Sequence, residues 1–472
     1  MATGKLIKDT IYYGLVPKLT IFVTIFTTPL ITPFLMPYDY GISGVVSSYT
    51  SFISSLAPLG LHVHLTNSFF ENPRHYNLVW GRILFLVLLS SFVLCILNIL
   101  VLYFVLPLAP SLSLFLLCTS GTIPVLLSVN TLLAQHLFPL IQEPKPLVLT
   151  GLIGSLFNIF LTFVLIYYYR LGYWGLILPS AISSIIVFII YIKLIWIDFD
   201  IKPIIEHNYK RLKEMFKIAL PLLPHNLGFV LLTSSSRVVM SQLDVSYDDI
   251  GLFSHGCAMG DYAIMITTAL VTAISPQMQR AYRSHDYNRY RQLYYLCQGV
   301  CLLTSIMICI WIPEIYDFLI RNDTLKQSSS IATYMCFSNV VFAFYTFMST
   351  PVFIEKNTMQ LLWLVFVPGL LNLILCFVFI PIYGYRAAIY STIISYWTQL
   401  LLPFFIGYYN RNVRLWLGSL SKIVVILLIL LTSLLLSQLS SEMNINYRMI
   451  ESFILLVGFV YVYKKKHVYE LI

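Results

Sequence analysis

The stretch 83-ILFLVLLSSFVLCILNILVLYFVL-106 runs for 24 residues without a charge, and its side chains are aliphatic, aromatic or thiol apart from Ser90, Ser91 and Asn98. About 20 such residues in an α-helix cross the ~30 Å hydrocarbon core of a bilayer. A helix is required there because a backbone out of reach of water must satisfy its own hydrogen bonds. The rest of the chain has the same character. Of 472 residues, 58% are hydrophobic and only 10% are charged, and the mean hydropathy is +0.82. A soluble domain carries about 25% charged residues, because its surface faces water. The fold class is therefore all-α: a polytopic membrane protein.

Hydropathy divides the chain into about 14 transmembrane helices, the first over 11–36, the second over 41–69, the fourth over 111–138, the eighth over 250–275 and the last over 449–463. The first is read as an uncleaved span, since Pro17, Pro29 and Pro33 fall in or beside it and no small-residue cleavage site follows. Placing the N-terminus in the cytoplasm puts 22 of the 29 lysines and arginines at inner loops and inner span ends and five at outer ones. That bias is what the positive-inside rule expects, and it sets both termini in the cytoplasm. The net charge of +9 is then topological, and it calls for anionic inner-leaflet lipids as neighbours, with no nucleic acid. The basic runs around 202–217 and 280–291 read as interfacial anchors.

Two short stretches lie about half a chain apart. 35-LMPYDYGISG-44 returns, blurred, as 245-VSYDDIGLFS-254, and Gly41 and Gly251 stand at the predicted outer ends of spans two and eight. Further pairs follow in the same order: Glu143 with Glu355, Asn158 with Asn372, and 172-GYWGLILPSAIS-183 with 384-GYRAAIYSTIIS-395, so that Gly172 pairs with Gly384. Spans one to six and seven to twelve are thus predicted to be two parallel six-helix lobes, followed by two C-terminal helices. The expected divisions are 1–197 for the N-lobe, 198–215 for a cytoplasmic basic linker, 216–409 for the C-lobe, and 410–472 for helices thirteen and fourteen with the basic tail. Parallel repeats are a recurring transporter plan in which two bundles rock about a midplane site. The four rim glycines suit it, because glycine lets backbones approach closely or bend.

The same residues carry a family resemblance. The rim motif PYDYG, 219-ALPLLPHNLGFVLLTSSSR-237, GLFS before span eight, EKNT at 355–358, Asn372 and 381-PIYGYRAAIYSTIISY-396 resemble the polysaccharide-unit flippases. These are the O-antigen and capsule-type members of the multidrug/oligosaccharidyl-lipid/polysaccharide exporter superfamily. The resemblance covers nearly the whole chain. It implies translocation of an undecaprenyl-pyrophosphate-linked oligosaccharide from the inner to the outer leaflet of the bacterial plasma (inner) membrane. The implied partners are that substrate, membrane lipids, and polymerase and chain-length machinery. One departure is Ser236, where many relatives have an acid before the arginine matching Arg237.

Charged groups inside spans are costly, about 2.5–3.5 kcal/mol at a helix centre on insertion scales, so each needs a reason. Asp261 sits near mid-membrane in span eight, on a stripe with Ser254, Thr268 and Thr272. In span seven Asn226, Thr233 and Arg237 share a face, with His225 adjacent. Together with Lys18 in span one these residues are the candidate lining of a water-filled substrate cavity. For Lys18 and Arg237 the competing reading is snorkelling to the interface; for Asp261 it is an interhelical hydrogen bond. His62, His64, His136 and His255, and the hydroxyl row Ser43, Ser47, Thr50 and Ser54, read more simply as helix packing. The eight cysteines fall in apolar runs and read as buried and inert; Cys297 and Cys301 share a face, which is too few ligands for a metal site.

No cofactor is called for. A proton or sodium ion, or the membrane potential, is the expected drive, since no G-x-x-x-x-G-K-[ST] loop for ATP occurs. An enzyme is not expected. The alternatives are an ion-coupled multidrug or organic-cation antiporter of the same superfamily and, behind it, a membrane-embedded polysaccharide polymerase. The antiporter would favour an acidic, aromatic-lined first lobe, and the polymerase a large outer loop.

Overall fold

The computed structural model describes residues 19–71, 75–206, 208–220, 223–355, 358–406 and 445–464, and among these every regular element is helical. Contacts divide the chain into two compact units, Met1–Gly251 and Leu252–Ile472. The first contains α1 (Leu19–Ile31), α2 (Pro37–Leu56), α3 (His62–Glu71), α4 (Tyr76–Val105), α5 (Leu112–Leu127) and α6 (Val129–Leu140). It continues with α7 (Pro144–Phe163), α8 (Tyr173–Tyr191), α9 (Tyr209–Ala219), α10 (Leu223–Gln242) and the first residues of α11 (Tyr247–Gly260). The second holds the remainder of α11, then α12 (Tyr262–Arg283), α13 (Tyr287–Ile310) and α14 (Ile312–Leu319). It ends with α15 (Ser329–Ile354), α16 (Thr358–Tyr383), α17 (Arg386–Leu401) and α18 (Ile445–Lys464).

Six described helical stretches are long and apolar enough to cross a membrane by themselves: Tyr76–Val105, Leu112–Leu140, Lys145–Tyr168, Tyr173–Asp198, Tyr287–Ile310 and Leu362–Tyr383. Other spans are less continuous than hydropathy alone suggests. The second breaks after Leu56 where Leu59 and Gly60 take positive φ, 52° and 70°. Only glycine enters that region without steric cost. A Cβ on Gly60 would also strike the Ala219 carbonyl, so the break is where α3 receives the end of α9. The fourth span is divided at Ser128, one turn after Pro124.

The first unit's main core gathers Leu61, Leu65, Trp80, Ile83, Leu133, Phe138 and Tyr191, all buried. Trp80 also satisfies its indole N–H there, donating to the Leu65 carbonyl at 3.0 Å. Ile201 and Met215 of the expected linker belong to this core, as does Ala219 from the start of the expected C-lobe, all three being buried in it. Nearer the middle of the helices, Asn98 donates to Thr122 Oγ1 at 2.9 Å and Thr50 donates to the Gly121 carbonyl at 3.2 Å. Such interhelical bonds hold apolar helices together at roughly 0.6 kcal/mol each, since lipid tails offer no hydrophobic drive.

In the second unit α18 lies against α13, with the ring of Phe459 over Gly299. Arg448 of α18 pairs with Glu314 at 2.5 Å, and Trp311 donates to Ser452 Oγ at 3.0 Å.

Candidate functional site

The repeated rim motif is also a contact. The N-terminal ends of α2 and α11 cross so closely that a Cβ on Gly41 would strike the Tyr247 carbonyl, and one on Gly251 would strike the Pro37 carbonyl. Gly41 is the fifth residue of PYDYG and Tyr247 the first of YDDIG; Gly251 is the fifth of YDDIG and Pro37 the first of PYDYG. The contact is therefore reciprocal, the glycine of each copy receiving the first carbonyl of the other.

Each copy places an acid at the third helical position, where the free N–H groups and positive end of a helix favour it. Asp39 Oδ2 accepts from the Met36 N–H at 2.8 Å, and Asp249 Oδ2 accepts from the Ser246 hydroxyl at 2.8 Å. Asp39 goes further, because its Oδ1 accepts from the Tyr173 N–H at 2.8 Å at the start of α8. Gly172 precedes it with φ +53°, and a Cβ there would meet the Asp39 carboxylate. Its repeat partner Gly384 has φ +67° at the entry to α17. Tyr38 packs against Tyr173 and Tyr247, ring centroids 6.4 and 6.1 Å apart.

The predicted polar faces fall on α10 and on α11–α12. On α10, Asn226 and Arg237 are half-buried and Thr233 is exposed. Thr233 Oγ1 donates to the Phe229 carbonyl at 2.9 Å, and Arg237 Nη1 donates to the Thr233 carbonyl at 3.3 Å. The guanidinium thus turns back along its own helix, placing cation and hydroxyl on one face. Ser236, at the departure noted above, is buried. His225 stands edge-on to Phe229 at 5.4 Å. In the second unit Ser254 is buried, whereas Asp261 and Thr268 are exposed.

Asp261 also marks a discontinuity that hydropathy misses: α11 ends at Gly260 and α12 starts at Tyr262, with Asp261 at the junction. Beyond it the Ile264 N–H bonds the Asp261 carbonyl, three residues back, at 3.0 Å. Asp261 itself stays right-handed helical, φ −67° and ψ −15°, and its N–H bonds the Cys257 carbonyl at 2.9 Å, so the junction is a tightened turn in which the backbone remains bonded. Gly260 beside it is a point of close approach, since a Cβ there would lie 2.6 Å from Met335 Cβ. Lys18 lies outside the described residues, as does the side chain of Thr272.

The weaker candidates are mostly packed. Buried His255 pairs with Ser328 Oγ at 2.7 Å, and Tyr316 is 3.0 Å from the same hydroxyl. His62 stacks on His136 at 5.9 Å, and His64 Nε2 lies 3.0 Å from the Met215 carbonyl. In the hydroxyl row Ser43 and Ser47 bond carbonyls of their own helix, Thr50 bridges to α5, and Ser54 is exposed. All eight cysteines are buried, and Cys301 Sγ accepts from Thr267 Oγ1 at 3.7 Å.

In overall fold the chain is similar to a structure described as lipid II flippase MurJ in an inward closed conformation. The TM-score is 0.72 at 14% identity, with 97% of this chain and 100% of that chain covered. It is also similar to an inward-facing multidrug resistance MATE family transporter of the MOP superfamily, with TM-score 0.63 at 13% identity over 86% of this chain and 98% of that one. An outward-facing MATE structure gives 0.52 at 12% identity over 86% and 95%. At these identities the likeness speaks for the fold alone. No curated protein matches in sequence. The profile of the family described as "Polysaccharide biosynthesis protein" matches residues 6–281, more than half of the chain. The chain belongs to the polysaccharide biosynthesis protein family.

Proposed function

We propose that this protein is a flippase. It moves an undecaprenyl-pyrophosphate-linked oligosaccharide, a precursor of O-antigen, capsule or exopolysaccharide, from the inner to the outer leaflet of the bacterial plasma membrane. The observation that carries this reading is membership of a polysaccharide biosynthesis family by a chain with six described helical stretches long and apolar enough to cross a membrane. Polysaccharide units assembled on a lipid must cross hydrocarbon, and a pyrophosphate with sugars cannot do so unaided.

The reading includes about fourteen spans in two parallel lobes with two added helices, both termini cytoplasmic, and alternating access driven by a proton, sodium ion or membrane potential. The headgroup contacts in this reading are drawn from the candidates named in the sequence: Lys18, Asn226, Thr233, Arg237, Ser254, Asp261 and Thr268. The cation faces pyrophosphate, hydroxyl and amide groups face sugar, and the polyprenyl tail stays in lipid. No covalent bond is made or broken, so the protein is not an enzyme. Polymerase and chain-length proteins would take the product.

The test is reconstitution of the purified protein in vesicles with a fluorescent lipid-linked oligosaccharide. Movement between leaflets, read by a membrane-impermeant quencher, is the expected result. Transport of organic cations without lipid movement would overturn the proposal.

A further inference from the structure

The segment between α8 and α10 is fastened to the first unit at several points. The Ile204 N–H donates to the Gly81 carbonyl at 2.9 Å, and the Lys202 carbonyl occupies the space a Cβ on Gly81 would fill. Arg82 Nε and Arg211 Nη1 each lie 3.1 Å from Glu206 Oε2, whose side chain is only 7% exposed. α9 docks by Met215 and Ala219, with Leu212 and Phe216 partly covered beside them. The helix is amphipathic, with four basic residues to the single acid Glu214.

Its outward face is the unusual part. Lys210, Lys213 and Lys217 recur at intervals of three and four, which lines them up on one face of a helix. All three are exposed, and none has an ion pair among the described residues. Along one edge of the lysine ridge stand Tyr209 at 78% and Leu220 at 48% exposure, and Ile205 just before the helix is 56% exposed. A face turned to water would bring the ammonium groups without the apolar edge. A face turned to hydrocarbon would bring the edge without the ammonium groups. A ridge of lysines flanked by aromatic and aliphatic side chains suits the boundary, where apolar groups enter the acyl region and lysines meet phosphates. The depth agrees: the segment is bonded at Gly81 and Arg82, in the first turns of the long apolar helix α4.

We propose that the Lys210–Lys213–Lys217 ridge of α9 docks the phosphate headgroups of anionic phospholipids in the leaflet that α4 enters. Lysines near an anionic surface are drawn to it within about a Debye length, and these three stand on one face of a helix already clamped to the first unit. Because α9 holds α3 through Gly60 and α4 through Glu206, the lipid composition is felt at the ends of two membrane helices. This inference stands whatever the protein translocates.

The experiment uses the full-length protein in nanodiscs, with an environment-sensitive fluorophore on Tyr209→Cys; the eight native cysteines are buried and leave the new thiol to react selectively. In discs one third phosphatidylglycerol, neutral-quencher access to the probe should fall about twofold or more relative to pure phosphatidylcholine. High salt should reverse the change, since exposed charges are screened. Lys210→Gln/Lys213→Gln/Lys217→Gln should abolish it, and Lys213→Gln alone should weaken it should the triple variant fail to fold. Equal quenching in both lipids overturns the proposal. So does a salt-insensitive change, or inorganic pyrophosphate reproducing the protection in neutral discs, which would assign the ridge to soluble phosphates.

Discussion

Gly251→Ala puts a methyl group where the Pro37 carbonyl oxygen already is, with the Gly41 nitrogen 3.0 Å away. Both are backbone atoms within the first turns of α2, so no side-chain rotation relieves the clash. Overpacking of this kind costs about 1–3 kcal/mol, and the rigid partner argues for the upper end. Against it stands the gain of about 1 kcal/mol that alanine brings over glycine in a helix. The net expectation is a loss of about 1–2 kcal/mol for Gly251→Ala, and the same for Gly41→Ala at its reciprocal contact. Gly151→Ala is the control: nothing lies within 4 Å of its Cβ position, so it should be neutral or slightly stabilising. The double variant discriminates further, because either methyl group already forces the two helix ends apart. Its cost should fall short of the sum by about 0.5 kcal/mol or more, as expected for sites in contact. The assay is thermal unfolding of the purified variants in one detergent. Gly41→Ala and Gly251→Ala unfolding alongside the control, or strictly additive effects, would refute the close crossing.

The other outcomes rest on single groups. Asp39→Ala removes the acceptor for the Met36 and Tyr173 N–H groups; hydrogen bonds to a charged group contribute about 1.5–3 kcal/mol each, so the loss should approach about 3 kcal/mol in the same unfolding assay, with Asp39→Asn keeping roughly half. Glu206 has its carboxyl held below the usual range, first by the Asn208 N–H and then by Arg211 and Arg82. Its stabilising contribution is therefore complete above the unfolded carboxyl pKa of about 4.3 and is lost as pH falls through the lower folded value. Unfolding temperature followed down through that range should drop less steeply for Glu206→Gln than for wild type. Asp261→Asn and Arg237→Ala should each slow lipid-linked oligosaccharide movement in vesicles about tenfold or more, as expected when a charge-assisted contact of roughly 1.4 kcal/mol or more is lost; wild-type rates in both, at equal incorporation, would remove these residues from the mechanism.

Helical class and membrane residence follow from solvent physics, and runs such as 83–106 show them without ambiguity. Which helices are interrupted is harder to see. The break at Gly60 depends on Ala219, more than 150 residues later, and no local pattern announces that partner. The tightened turn at Asp261 has no cue in the sequence, where the acid reads only as a charge. The linker was misleading for a different reason. Its basic residues signal an interface, while the apolar face of Leu212, Met215, Phe216 and Ala219 that carries its attachment is short and runs past the expected linker end. For the polar residues, spacing placed Thr233 and Arg237 on one face, and Arg237 does bond the Thr233 carbonyl. What spacing could not convey is direction, since the guanidinium folds back along its own helix.

The two copies of the rim motif diverge where physics tolerates it. At the third helical position both keep an acid, yet its partners differ: Met36 and Tyr173 N–H groups for Asp39, the Ser246 hydroxyl for Asp249. A carboxylate at a helix N-terminus needs only some donor, so side-chain partners can be exchanged at little cost. The glycines have no such freedom. Each must admit a carbonyl from the first residue of the other copy, and a methyl group on either one opens the whole crossing. A duplicated element that meets itself therefore has to keep glycine where the other copy's carbonyl approaches, and an acid where its helix N-terminus favours one. That is why 37-PYDYG-41 and 247-YDDIG-251 agree at the glycine and the acid while tyrosine, proline and isoleucine change places around them.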